Sequence, residues 1–201
     1  MNYLAHLYLA EQSSEGLLGS LLGDFVKGRL DDRYPQTVRR GIALHRAIDS
    51  FTDAHPLHLA SRNRIGSERR RYAGIIIDVC YDHFLCRHWA EYSSESLDCF
   101  AARVYGILRE HRDELPDRLR GIVPHMIADD WLGSYAVLEN VGRALDGIAR
   151  RITRSNSLAG AVIEIEANYA ALNDDFQRFF PQLQLQAGRI LSRLVSPPTT
   201  D

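Results

Sequence analysis

Within its first ninety residues the chain sets eight side chains suited to metal and phosphate chemistry into otherwise apolar stretches: His6, Asp24, His45, Asp49, Asp53, Asp78, Asp82 and His83. Carboxylate oxygens and imidazole nitrogens suit Mn²⁺ and similar divalent ions. Such an ion can neutralise a phosphate and supply hydroxide near neutral pH. The clustering points to a metal-dependent phosphohydrolase. Its sharpest part is Ile75-Ile76-Ile77-Asp78-Val79-Cys80-Tyr81-Asp82-His83-Phe84-Leu85, which as a helix is apolar around most of its circumference and therefore expected to be buried. Asp78 and Asp82 then lie one turn apart on a face shared with Ile75, Leu85 and Trp89. Two carboxylates on a buried face repel and lose hydration, at a cost of several kcal/mol per ion unless cations or hydrogen-bond donors compensate.

The elements that must position these groups read as helices. Apolar residues recur at helical spacing throughout, strand alternation is scarce, and turns are signalled at Asp31-Asp32-Arg33-Tyr34-Pro35, His55-Pro56, Leu115-Pro116-Asp117 and Phe180-Pro181. Helices are predicted at about 2–10, 14–29, 35–53, 56–64, 67–90, 95–112, 117–129, 131–152, 157–178 and 181–194. The fold class is all-α, a single-domain compact helical bundle over 1–195, with residues 196–201 a disordered tail. Gly16, Gly19 and Gly23 offer one face of the second helix for close approach by a neighbour, and that must offset the roughly 1 kcal/mol that a helical glycine costs. Along the flank of the third helix His45 and Asp49 are one turn apart, able to point into one interhelical pocket; such a pair is also a common surface hydrogen bond. His6, in an uncharged amphipathic segment, reads more readily as a hydrogen-bonded core residue than as a ligand. His125 and Asp129 repeat the spacing in a less apolar setting and read as structural or as groups that support a ligand from behind, while His55, His58, His88 and His111 read as surface or rim residues.

Composition narrows the field. The net charge is −2, yet residues 27–71 hold eleven Lys or Arg against five acids, a local +6 that leaves −8 elsewhere. A patch of that sign favours an acidic protein, a nucleotide or a phosphate ester, the alternative being a solvated arginine-rich face. Cys80, Cys86 and Cys99 show no CxxC spacing and read as buried hydrophobes of a reducing cytoplasm. The amino-terminal run has no basic leader and no stretch of some 18 apolar residues occurs, so neither export nor membrane insertion is expected, and no nucleic-acid partner is indicated. Phosphate-binding GxxxxGK[ST], dinucleotide GxGxxG and GxSxG patterns are lacking, which disfavours P-loop and nucleophile-elbow chemistry.

Taken in order, Asn2-Tyr3-Leu4-Ala5-His6, Gly23-Asp24-Phe25-Val26-Lys27-Gly28, His45-Arg46-Ala47-Ile48-Asp49-Ser50-Phe51-Thr52-Asp53 and Asp78-Val79-Cys80-Tyr81-Asp82-His83-Phe84-Leu85 resemble the acyl carrier protein phosphodiesterases. The resemblance continues through Arg87-His88-Trp89, the Trp131 region and Ala167-Asn168-Tyr169-Ala170-Ala171-Leu172 before Phe179-Phe180-Pro181. It implies hydrolysis of the phosphodiester joining 4′-phosphopantetheine to a serine of holo-acyl carrier protein, a small acidic partner, and a helical fold distantly related to the HD-type phosphohydrolases with Mn²⁺ or Mg²⁺ as cofactor. No His-Asp dipeptide occurs here, and the reversed Asp82-His83 is the nearest equivalent.

For that reaction Asp24, His45 and Asp78 are the expected ligands, with His6 and Asp82 next. Asp24 is also expected to act in catalysis. Asp49 or His83 would orient a ligand or donate a proton, and Arg46 would hold a phosphate oxygen. Arg62, Arg64, Arg69, Arg70 and Arg71 would meet the acidic carrier. Two other readings compete: an HD-type hydrolase of a nucleotide or other small phosphoester, and a non-catalytic helical adaptor whose acids pair with arginines.

Overall fold

In a computed structural model, residues 1–196 are described, and among them every regular element is helical. They are α1 (Tyr3–Leu9), α2 (Ser14–Leu22), α3 (Gln36–Ala54), α4 (Pro56–Arg64), α5 (Ala73–Arg87), α6 (Trp89–Tyr92), α7 (Leu97–Glu110), α8 (Asp117–Ala128), α9 (Leu138–Arg151) and α10 (Val162–Val195). Short 3₁₀ turns at Ser67–Tyr72, Arg112–Glu114 and Ser134–Ala136 join some of them. The all-α expectation is met. The predicted tail beyond Ser196 lies outside the described residues. No described helix is long and apolar enough to cross a membrane.

Helix starts follow local chemistry. Ser13 and Ser96 accept the free amides of Gly16 and Cys99 at 3.1 and 3.2 Å, and Pro56 opens α4 where a missing N–H costs nothing. With eleven of its fifteen residues buried, α5 is the central helix, as its all-round apolar sequence requires. Helices α1, α4, α9 and α10 pack around it, and α2 lies along α3. That last crossing is tight: a Cβ on Gly19 would come 2.3 Å from the Val38 carbonyl oxygen, and one on Gly41 would come 2.8 Å from Gly19 Cα. Glycine is required there by contact, not by backbone angle.

Several boundaries differ from the sequence expectation. Helix α2 stops at Leu22 instead of running to 29, because Gly23-Asp24-Phe25 turn back with the Phe25 and Val26 amides both on the Leu22 carbonyl at 3.0 and 2.9 Å. The predicted helix 67–90 divides into a 3₁₀ turn, α5 and the short α6, and the predicted 131–152 begins only at Leu138. Conversely, Pro181 does not separate two helices: α10 is continuous from Val162 to Val195. An internal proline costs about 3 kcal/mol, and the burial of Phe176, Phe179, Phe180 and Leu183 against α3, α4 and α5 offsets it. Cys80 and Cys86 are buried as expected, whereas Cys99, on the outer face of α7, is exposed.

Candidate metal centre

At the junction of α1, α3 and the turn after α2, two imidazoles stack and converge on one carboxylate. The rings of His6 and His45 lie 3.7 Å apart at 11°, both 3% exposed. His6 Nε2 reaches Asp49 Oδ1 at 2.9 Å and His45 Nε2 reaches Asp49 Oδ2 at 3.2 Å. Asp24, half exposed, approaches His45 Nε2 at 3.5 Å from the rim. On the opposite side Asp78 faces Asp49 across the Met1 α-amino group, which stands 3.2 Å from Asp78 and 3.5 Å from Asp49. His58 Nε2 lies 3.3 Å from Asp78 Oδ1.

Local sequence explains how these groups meet. The i,i+4 spacing puts His45 and Asp49 on one face of α3. Gly23 then makes room: a Cβ there would lie 2.2 Å from the His45 ring. The early end of α2 swings Asp24 toward that ring. Arg46 holds the segment that follows, its guanidinium donating to the carbonyls of Val26 and Gly28 at 2.7 and 2.8 Å. The Nδ1 atoms of His6, His45 and His58 have no hydrogen-bond partner among the described residues, so packing and the Nε2 contacts alone orient the rings.

Electrostatics separate the two stacked rings. Burial lowers His6 to about 4 despite its bond to Asp49, and the neighbouring His45 pushes it the same way. Burial also opposes charge on His45, but the carboxylates of Asp24 and Asp49 overcome it and raise the ring to about 9. Asp49, although desolvation pushes it up, is held far below the ordinary carboxylate range by His45 and His6, and Asp24 is likewise lowered by His45. In Asp78, burial is outweighed by the Met1 ammonium and His58.

The other expected site residues lie elsewhere. Asp82, 1% exposed, accepts the amides of Leu4 and Ala5 at 2.9 and 3.1 Å and so caps α1 from within the core; burial raises it to about 7 against those two bonds. His83 is kept neutral by burial, donating Nδ1–H to the Tyr135 carbonyl at 2.6 Å and accepting the Tyr169 hydroxyl on Nε2 at 2.8 Å. Asp53 pairs with Arg62 at 3.6 Å. Of the arginines expected to meet a partner, Arg64 is bound to the buried Asp175 at 3.0 Å, Arg69 to Glu164 at 3.2 Å, and Arg70 donates to Asn63. His58, read as a rim residue, is 0% exposed and packs beside Tyr81 and Phe179.

Buried imidazoles with a carboxylate form a donor set that a borderline divalent ion accepts. The potential ligand atoms of His6, His45 and Asp49 all lie within 4.8 Å of one another. These three residues fit a metal ion.

Comparison with known proteins adds a family. The sequence model described as acyl carrier protein phosphodiesterase matches residues 1–183. A Serratia proteamaculans protein of that name is 40% identical over 188 residues, covering 93% of this chain and 97% of the relative. Proteins of the same name from Yersinia pestis and Escherichia coli O157:H7 are 36% and 37% identical, each covering at least 93% of this chain and 97% of the relative. No solved structure matches the chain at comparable stringency.

Proposed function

From the premise that the chain belongs to the acyl carrier protein phosphodiesterase family, we propose that it hydrolyses the phosphodiester between a carrier-protein serine and 4′-phosphopantetheine, using a divalent metal held by His6, His45 and Asp49. The observation that carries the metal-dependent part is the convergence of two buried imidazoles on one carboxylate. Mn²⁺ or Mg²⁺ there would act as a Lewis acid on phosphate and lower the pKa of water.

The protein's own groups divide the remaining work. Asp24, ionised and half exposed, is the most accessible carboxylate of the cluster, and it accepts the proton of the attacking water. The new P–O bond forms to that water oxygen and the P–O bond to serine breaks, the leaving serine oxygen taking up the proton received by Asp24, so the products are 4′-phosphopantetheine and the free serine hydroxyl. Asp78, steadied by His58, completes the negative wall opposite and favours a cation in the site. Arg46 acts on the reaction through Asp24, by fixing residues 26–28 that follow it.

The test is intact-mass spectrometry of holo-acyl carrier protein incubated with the protein and Mn²⁺, beside an EDTA control and an Asp49→Asn variant. Loss of the phosphopantetheinyl mass only with metal and wild-type protein is expected. Loss that persists in EDTA would remove the metal from the reading. No loss with any divalent ion, alongside turnover of nucleotides, would replace the substrate by a small phosphoester.

A further inference from the structure

A groove of about 1190 Å³ runs between α8 and α9, beyond the metal-ligating cluster, and its lining is strongly basic. Arg118 contributes from α8, and Arg143, Arg150 and Arg151 from α9, against Asp129 as the one acid of the lining. All four arginines are exposed. Among the described residues Arg118, Arg150 and Arg151 make no ion pair, and Arg143 donates only to Asn140 at 3.0 Å. The arginines of 62–69 are in the opposite condition, their charge largely met by Asp53, Asp175 and Glu164.

Two of these guanidinium groups are held in place without losing their donors. Arg151 lies 5.7 Å over the Trp131 ring and Arg118 5.8 Å over Phe25. An aromatic face orients a guanidinium while leaving its in-plane N–H fork free for a carboxylate. Aromatic support lowers the entropy that a long side chain loses on pairing.

The groove adjoins the site. Its lining includes Asn2 and Tyr3, which lead into α1 and His6, and Arg118 rests on Phe25, the residue after Asp24. The Tyr3 phenol is raised to about 12, by burial first and then by the Asp24 charge, with Arg151 and Arg118 easing the rise, so these groups share one electrostatic neighbourhood.

We infer that the α8–α9 groove is the docking surface for the acidic face of the carrier protein, with Arg118 and Arg151 as its principal contacts; this rests on the reaction proposed above. The scissile bond is attached directly to a serine on the carrier's surface, so the carrier must touch the rim of the site itself. The arginine groove is the basic surface that meets this demand. Its volume exceeds the roughly 300–1,000 Å³ of small-ligand pockets, as suits an element of a protein.

The test measures binding apart from turnover: fluorescence anisotropy of labelled holo-acyl carrier protein with EDTA-treated protein in low salt. Arg118→Glu with Arg151→Glu should weaken binding about tenfold or more, and the alanine pair about threefold, the wild-type-like circular dichroism of the latter guarding against misfolding. Arg70→Glu with Arg71→Glu should change it by less than about twofold, and raising the salt to about 0.3 M should shrink the first difference. Unchanged binding in the Arg118/Arg151 variants, or no binding by the wild type, overturns the docking surface. Binding lost in those variants while the wild type releases no phosphopantetheine leaves the docking surface standing and overturns the reaction.

Discussion

An ion held by His45 as proposed would have to displace a proton from that ring, because its nitrogen cannot serve a cation and Asp49 at once. With the ring raised to about 9 by Asp24 and Asp49, it is charged at neutral pH. Metal uptake at pH 7 should therefore release about one proton, and apparent affinity should rise about tenfold per pH unit up to about pH 9. Titration calorimetry with Mn²⁺ in buffers of different ionisation heat would show it; heats independent of buffer would show that His45 is not a ligand. The same proton supports the metal-free fold. Because the folded value lies above the ordinary 6.5, its contribution is whole below about pH 6.5 and is lost as pH rises through about 9. Residue types near the site were legible in the chain, but not all neighbours were. Asp49 and His6 belong to the tightest cluster, whereas Asp82 serves as an internal cap of α1. His58 sits in a mixed segment, Pro56-Leu57-His58-Leu59, and its burial arises from Phe179, more than a hundred residues away. No local pattern announces such a contact.

Helix ends decide what the side chains can do. Had α2 continued to residue 29, Asp24 would follow the helix face, but the turn at Gly23 gives the carboxylate to His45. Gly23→Ala should leave the protein folded yet weaken Mn²⁺ binding at least about tenfold, since the added methyl enters the space of a ring already fixed against His6. Gly106→Ala, in α7 with nothing within 4 Å, is the control, and its stability should rise by about 0.4–1 kcal/mol. Equal metal affinity in the two variants would count against the role given to Gly23. The existence of helices was readable from periodicity, and the glycine spacing of α2 did signal a close crossing, seen at Gly19 and Gly41. Their extents were less so. The 3₁₀ turn at Ser67–Tyr72 and the passage of α10 through Pro181 both reflect tertiary packing that overrides local preference.

At the scale of the molecule, the site is a concentration of charge inside a fold that is otherwise apolar. Asp49, Asp78 and Asp24, each partly open to solvent, face the buried His45, His6 and Met1 amine. An ion bound only by the folded state must stabilise it, by about 2.7 kcal/mol at a hundredfold excess over Kd. For a chain of this size each kcal/mol moves Tm by about 2–4 °C, so saturating Mn²⁺ should raise Tm by roughly 5–10 °C in calorimetry. EDTA should reverse the rise, and His6→Ala with His45→Ala should abolish it; a wild-type Tm indifferent to Mn²⁺ would place no metal in the cluster. The continuity of α10 has a further consequence, in the order of synthesis. His6 to Asp78 all emerge early from the ribosome, but the helix on which α3, α4 and α5 pack is made after every other described helix. A nascent chain thus carries every side chain of the centre long before it has the surface that holds them together. Its apolar faces stay uncovered until Phe176 to Leu183 arrive, which exposes the unfinished chain to aggregation.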